Sequence, residues 1–254
     1  MQNAIVRRLR ASGSVFAEDE AAVLIAAACD DPALEGLVRR REGGEPLEHI
    51  VGRVDFGGLR LAVGPGVFVP RQRSLRLARA AARAASAASD PVVLEAYAGV
   101  AAIAASIAET LPTAELHVAD IDPRALRWAR ANLPSSAGTH RSDGLSGLPA
   151  VLRGRLTLIV AVPPYVPDAE LELIPGDRRA HEPERALLGG ADGLDQVRRL
   201  IAEAADLLAP GGRVLLEINR RQGPAASAAA RRAGYRASYR TAPDGHTAIL
   251  DLRA

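Results

Sequence analysis

The fold is read from PVVLEAYAGVAAIAASIAETLPTAELHVADIDP, residues 91–123. VVLEAY is a run of apolar and β-branched residues of strand length. Residues 98–109 carry apolar side chains at helical spacing. ELHVAD is strand-like again. Asp122 followed by Pro123 is an N-cap with proline in the first turn, and predicts a helix to Asn132. Strands alternating with helices predict a parallel sheet with helices on its faces.

The pattern continues outward in both directions. A third strand is expected before Asp143, and LTLIVAV reads as a buried strand ending at Pro163. A helix over 194–208 is expected to end at Pro210-Gly211-Gly212, followed by a strand in RVLLEIN and a helix over 225–233. YRASYR and TAILDLR read as a closing antiparallel pair. Upstream, helices are expected over 4–9, 18–29 and 33–41, the last opening at Pro32 and stopping at Gly43-Gly44. DFGGLRLAV predicts a hairpin, and Ser74 is expected to cap a helix over 75–88. The expected organisation is a helical domain at 1–45, a hairpin connector at 46–74 and an α/β domain at 75–254.

Composition narrows the class. The 254 residues are 48% hydrophobic, enough for a sizeable core. No apolar run approaches the roughly 18 residues of a membrane span, and MQNAIVRRLRASGS turns polar before a signal peptide's apolar core, so a cytoplasmic protein is expected. A single cysteine, Cys29, excludes an intrachain disulfide and a cysteine-rich zinc site. His49, His117, His140 and His246 show no metal-ligand spacing, and no metal is expected. A net charge of +2 argues against nucleic-acid binding. All 32 basic residues are arginine, and Arg76, Arg79 and Arg83 fall on one helical face that reads as solvated.

The strand ends carry the chemistry, because ligands of such sheets bind beyond the carboxyl ends of the strands. Glu95 ends the first strand, ahead of a loop containing Tyr97 and Gly99. Asp120 ends the second, where an acid commonly accepts from ribose hydroxyls. Asp143 follows the third, where an acid can meet an adenine amino group. Val162, Pro163, Pro164 and Tyr165 follow the fourth.

With these stretches, EPLEHIVGRVDFGGLRLAVGPGVFVPR, LHVADIDPRALRWARANL, HEPERALLGGADGLD and GGRVLLEINRRQG, the chain resembles the protein-(glutamine-N5) methyltransferases of the PrmC/HemK type, especially their divergent actinobacterial members. The resemblance covers nearly the whole chain. It implies a class I S-adenosylmethionine (SAM) methyltransferase fold, a Rossmann-like seven-stranded sheet behind a small N-terminal helical domain that recognises substrate. It assigns cofactor binding to Glu95, Tyr97, Gly99, Asp120 and Asp143, and catalysis to the loop Val162 to Tyr165.

Three departures from the family pattern sit at the chemistry. Where the family has Asn-Pro-Pro-Tyr, this chain has Val162-Pro163-Pro164-Tyr165. In the family that asparagine and the backbone carbonyl after it hold the substrate amide; valine has no acceptor, and an unpaired amide hydrogen costs about 1–3 kcal/mol. Where the family has Asp-Leu-Gly-Thr-Gly-Ser-Gly, this chain reads Glu95-Ala96-Tyr97-Ala98-Gly99-Val100-Ala101, keeping only the middle glycine. Where the family often has Pro-Arg-x-x-Thr-Glu, Ser74-Leu75 keeps the hydroxyl and loses the acid. His181 and Glu182, in a loop expected to cover the cleft, become candidate acid–base groups.

These departures set three expectations. The first is a redirected enzyme acting on a small-molecule or carrier-bound substrate in specialised metabolism, with SAM bound weakly or dispensed with, for example in a ring-closing displacement. The second is SAM-dependent N5-methylation of a glutamine in a protein such as a release factor. The third is a non-catalytic subunit that binds a protein partner.

Overall fold

Seven strands form one sheet in the order β5-β4-β3-β6-β7-β9-β8. In this computed structural model residues 1–173 and 180–254 are described. The strands are β3 (Val92–Ala96), β4 (Glu115–Asp120), β5 (Gly138–Arg141), β6 (Leu156–Ala161), β7 (Leu208–Asn219), β8 (Arg236–Thr241) and β9 (Thr247–Arg253). β3 to β7 run parallel, while β9 runs antiparallel between β7 and β8. This is the expected class I methyltransferase sheet.

The strand order places the site. From β3 the chain steps outward to β4 and β5, then returns to lay β6 on the other side of β3. The carboxyl ends of β3 and β6 therefore flank a topological switch point, where the loops diverge and leave a crevice.

Helices cover both faces: α5 (Leu75–Ala85), α6 (Ala102–Thr110), α7 (Pro123–Asn132), α8 (Asp195–Ala204) and α9 (Gly223–Arg232). One apolar cluster joins α8 and α9 to one face through Leu200, Ile159 and Leu216; the other joins α5 and α6 through Leu77, Ile103 and Leu158. Ahead of them, α1 (Gln2–Ala11), α2 (Ala17–Ala27) and α3 (Asp31–Glu42) share a core of Leu9, Leu24 and Val38. Asp30 caps α3 by accepting from the Ala33 amide at 2.7 Å. Among the described residues, no helix is long and apolar enough to cross a membrane.

Several boundaries differ from the sequence expectation. The connector opens with a short helix, α4 (Leu47–Val51), before the hairpin of β1 (Arg53–Phe56) and β2 (Leu59–Ala62). Gly57 and Gly58 both take positive φ, as a two-residue hairpin turn requires. The helix expected from residue 98 starts at Ala102, because the preceding loop is left-handed at Tyr97, Gly99 and Ala101. Ser74 does not cap α5, which ends at Ala85. The helix expected to reach residue 208 ends at Ala204: Leu208 already pairs with Leu156 of β6, and Pro210-Gly211-Gly212 falls within an irregular stretch of β7.

Candidate functional site

The crevice holds a cavity of about 240 Å³, lined by the loops that follow β3, β4, β5 and β6. Among the lining residues are Glu95, Tyr97, Gly99, Asp120, Asp143, Val162, Pro163, Pro164 and Tyr165.

The loop after β3 is held by two carboxylates. Buried Glu95 accepts from the backbone amides of Ile103 at 3.3 Å and Ala104 at 2.7 Å, and so caps the first turn of α6. Burial pushes its carboxyl up to about 8, against those two hydrogen bonds. Asp120 accepts from the Gly99 amide at 2.9 Å and, through its other oxygen, from the Asp122 amide at 2.8 Å. Each oxygen keeps a lone pair, so the carboxylate can take two hydroxyls of a ribose. Burial raises the Asp120 carboxyl above the usual carboxylate value.

Tyr97, Gly99 and Ala101 have φ of 52°, 54° and 64°. Tyr97 and Ala101 are the only non-glycine residues with positive φ among those described. A left-handed L-residue costs about 1–2 kcal/mol, so two residues hold at some cost a path that glycines take freely. Tyr97 is fastened in return: its hydroxyl donates to Oε1 of Gln196 at 2.8 Å and its ring packs on the cluster under α8.

Beside Asp120, Ile121 is 44% exposed and lines the cavity, an apolar surface suited to the face of a flat base. Asp143 lines the same side, with its carboxylate paired to Arg199 at 2.8 Å. Asp122 caps α7 and pairs with Arg124 at 2.9 Å and Arg185 at 2.6 Å. Burial alone would push its carboxyl up, but the two guanidiniums and the Arg124 amide bring it down to about 2.

The loop after β6 is held by its backbone. The Gln222 side chain donates to the carbonyl of Tyr165 at 2.8 Å and to that of Asp192 at 3.0 Å. Its own oxygen accepts from the Asn219 amide at 2.9 Å. Gly189 and Gly193 admit the loop closely: a Cβ on Gly193 would lie 2.2 Å from the Tyr165 carbonyl oxygen, and one on Gly189 would lie 2.6 Å from that of Pro164. The Tyr165 hydroxyl accepts from Arg73 at 3.0 Å and faces buried Glu217 at 3.5 Å. Burial pushes the Glu217 carboxyl up against the pull of Ser74 and Arg73. Val162 brings an isopropyl group into this setting and no acceptor.

Two candidate residues are not brought into the cavity. Glu182 is spent on structure: its side chain, 1% exposed, accepts from the Val69 amide at 3.2 Å and from Arg71 at 2.5 Å. His181 is not among the lining residues. The segment does reach over the cleft, but through Pro183, Arg185 and Leu187. An acid–base role for His181 and Glu182 is therefore given up: Glu182 faces the connector, and the pair lies off the cavity.

Arg73, Ile121, Arg185, Glu217 and Gln222 were missed as site residues. Gln222 alone had a local signal, since Asn219 and Gln222 form a capping box at a strand-to-helix junction. The others meet only through the fold.

No family model matches the chain. Similar proteins do. Over 71% of this chain and 65% of its counterpart, it is 40% identical to the release factor glutamine methyltransferase of Streptomyces coelicolor. Over 85% and 77% it is 38% identical to that of Deinococcus radiodurans, and over 94% and 91% it is 37% identical to that of Moorella thermoacetica. Among solved structures, a methyltransferase from Pyrococcus furiosus superposes with a TM-score of 0.55 at 19% identity, covering 78% of this chain and 89% of that one. A ribosomal protein L11 methylase from Lactobacillus delbrueckii subsp. bulgaricus superposes with 0.53 at 16% identity, covering 75% and 83%. These two share the fold.

Proposed function

The chain belongs to the release factor glutamine methyltransferase family, and from that premise we propose that it methylates the side-chain amide nitrogen of a glutamine in a release factor. The methyl donor is S-adenosylmethionine, which brings an electrophilic methyl group on a sulfonium. A protein substrate replaces the small-molecule or carrier-bound one expected from the altered motifs, because the relatives carry a release factor in their names. The observation that carries this reading is the backbone of the loop after β3: its left-handed positions at 97, 99 and 101 set the Gly99 amide on Asp120.

In this reading Asp120 accepts from the ribose hydroxyls and Ile121 packs against the base. Glu95 keeps the first turn of α6 in place under the loop. The Pro163 carbonyl accepts one hydrogen of the glutamine amide, and Gln222 holds the loop that presents it. The second amide hydrogen finds no side-chain acceptor at Val162, so the amide is less firmly aligned for in-line attack. A functional but slow enzyme follows.

The test is to incubate the protein with SAM and a purified bacterial release factor, and to locate any added methyl group by mass spectrometry. A methylated glutamine, formed more slowly than by the Streptomyces coelicolor relative, is expected. No methylation where that relative modifies its substrate fully would overturn the reading.

A further inference from the structure

A second groove, of about 470 Å³, opens on the outer face of α5 where the sheet runs on beyond it. α5 packs over β6 and β7, while Ile249 and Asp251 of β9 are half-buried and Arg253 of β9 and Arg240 of β8 are exposed. Arg76, Arg79 and Arg83 line one side of this groove, spread over about 10 Å of helix. Arg213, Arg240 and Arg253 line it from the strands. Ala80, Leu215 and Ile249 form an apolar floor. Among the described residues only Arg213 has a partner here, Asp251. The solvated arginine face expected from the sequence is thus one wall of a six-arginine groove.

We propose that this groove docks an acidic, amphipathic segment of the protein substrate, its carboxylates on the rim arginines and its apolar side chains on the floor. The proposal rests on the reading of this chain as a methyltransferase of a protein. Position supports it: Arg73 lines the catalytic cavity and Arg76, one helical turn on, lines the groove. Along β7, Leu215 lines the groove, and Glu217, two residues on and on the same face, meets Arg73 and Tyr165, which line the cavity. Chemistry selects a peptide over a nucleic acid. No aromatic ring lines the groove to stack a base. The Arg213–Asp251 pair already shows a guanidinium meeting a carboxylate there. The apolar floor also has no use for a bare phosphate chain.

The probe is a fluorescein-labelled synthetic peptide of glutamate and leucine, with the leucines at helical spacing, titrated with the intact protein by anisotropy. A peptide with glutamine for leucine and a single-stranded RNA of equal length are the controls. The variants are the triple Arg76→Gln, Arg79→Gln, Arg83→Gln and the double Arg240→Gln, Arg253→Gln, all exposed positions. The glutamate–leucine peptide should bind more tightly than either control and lose about tenfold in each variant. With a release factor as substrate, KM should rise about tenfold at unchanged kcat, while KM for a short peptide around the accepting glutamine stays put. Unchanged peptide affinity in both variants, RNA held more tightly than peptide, or an unchanged release-factor KM would each overturn the groove. A release factor left unmethylated while the peptide binds through these arginines would sink the functional reading and keep the groove.

Discussion

The loops after β3 and after β6 face each other across one cavity and depart in opposite ways from the pattern of the family the sequence resembles. In the β3 loop Tyr97 and Ala101 stand where the resembled pattern has glycine, and the backbone is left-handed at both. A glycine's task there would be conformational, and other side chains perform it at a cost in strain. In the β6 loop Gln222 and two close-packed glycines hold the backbone, yet the side chain at Val162 cannot accept a hydrogen bond. An asparagine's task there would be chemical, and packing does not replace an acceptor.

The largest effect that would sharpen this contrast is at Asp120. Asp120→Ala removes the ribose acceptor and leaves the Gly99 amide without its partner. Hydrogen bonds to a charged group contribute about 1.5–3 kcal/mol each, so SAM affinity by calorimetry should fall about 100-fold or more. An unchanged affinity would mean that Asp120 holds no ribose.

Next is the pH dependence set by Glu95. Its folded value, about 8, lies above the usual value for an unfolded glutamate. A raised group stabilises the fold most below its unfolded value, and that stability drains away as pH rises through the folded value. Unfolding free energy should therefore decline from about pH 4.5 to 8 by at most about 1.4 kcal/mol per pH unit. Denaturant titrations across that range should show the decline, and Glu95→Gln should flatten it.

At Val162 the prediction concerns rate. Val162→Asn supplies the missing acceptor, a hydrogen bond of about 0.5–1.5 kcal/mol, and should raise kcat/KM for a release factor up to about tenfold. SAM affinity should not move. A gain in SAM affinity instead of rate would break the division of tasks between the two loops.

The smallest effect belongs to Ala101. Ala101→Gly relieves a left-handed alanine at φ 64°, and should raise stability by about 1 kcal/mol, or about 2–4 °C in Tm. A loss of stability would show that the buried methyl group outweighs the strain.

The sheet was legible because its strands are continuous apolar runs and its helices carry local start signals, such as Asp122-Pro123. Boundaries failed where tertiary pairing overrode propensity, as at Leu208, drawn out of a helical pattern by Leu156. In the cavity lining, Asp120 and Val162 could be read because one ends a strand and the other directly follows one. Arg185 over Asp122, and Arg73 beside Glu217, could not, since each pair joins segments far apart in the chain. Glu182 looked like chemistry in sequence and is a strut in space, because its partner Arg71 lies 111 positions away.

Gln222 shows how much of the β6 loop's shape hangs on one side chain. Its side chain gives two donors to carbonyls of two different loops and one acceptor to a backbone amide. Glutamate would set an oxygen against those carbonyls, leucine would abandon all three partners, and asparagine is one methylene short. Mutational paths away from this position are therefore few, whereas those at 97 and 101 stay open to any residue whose packing offsets its strain.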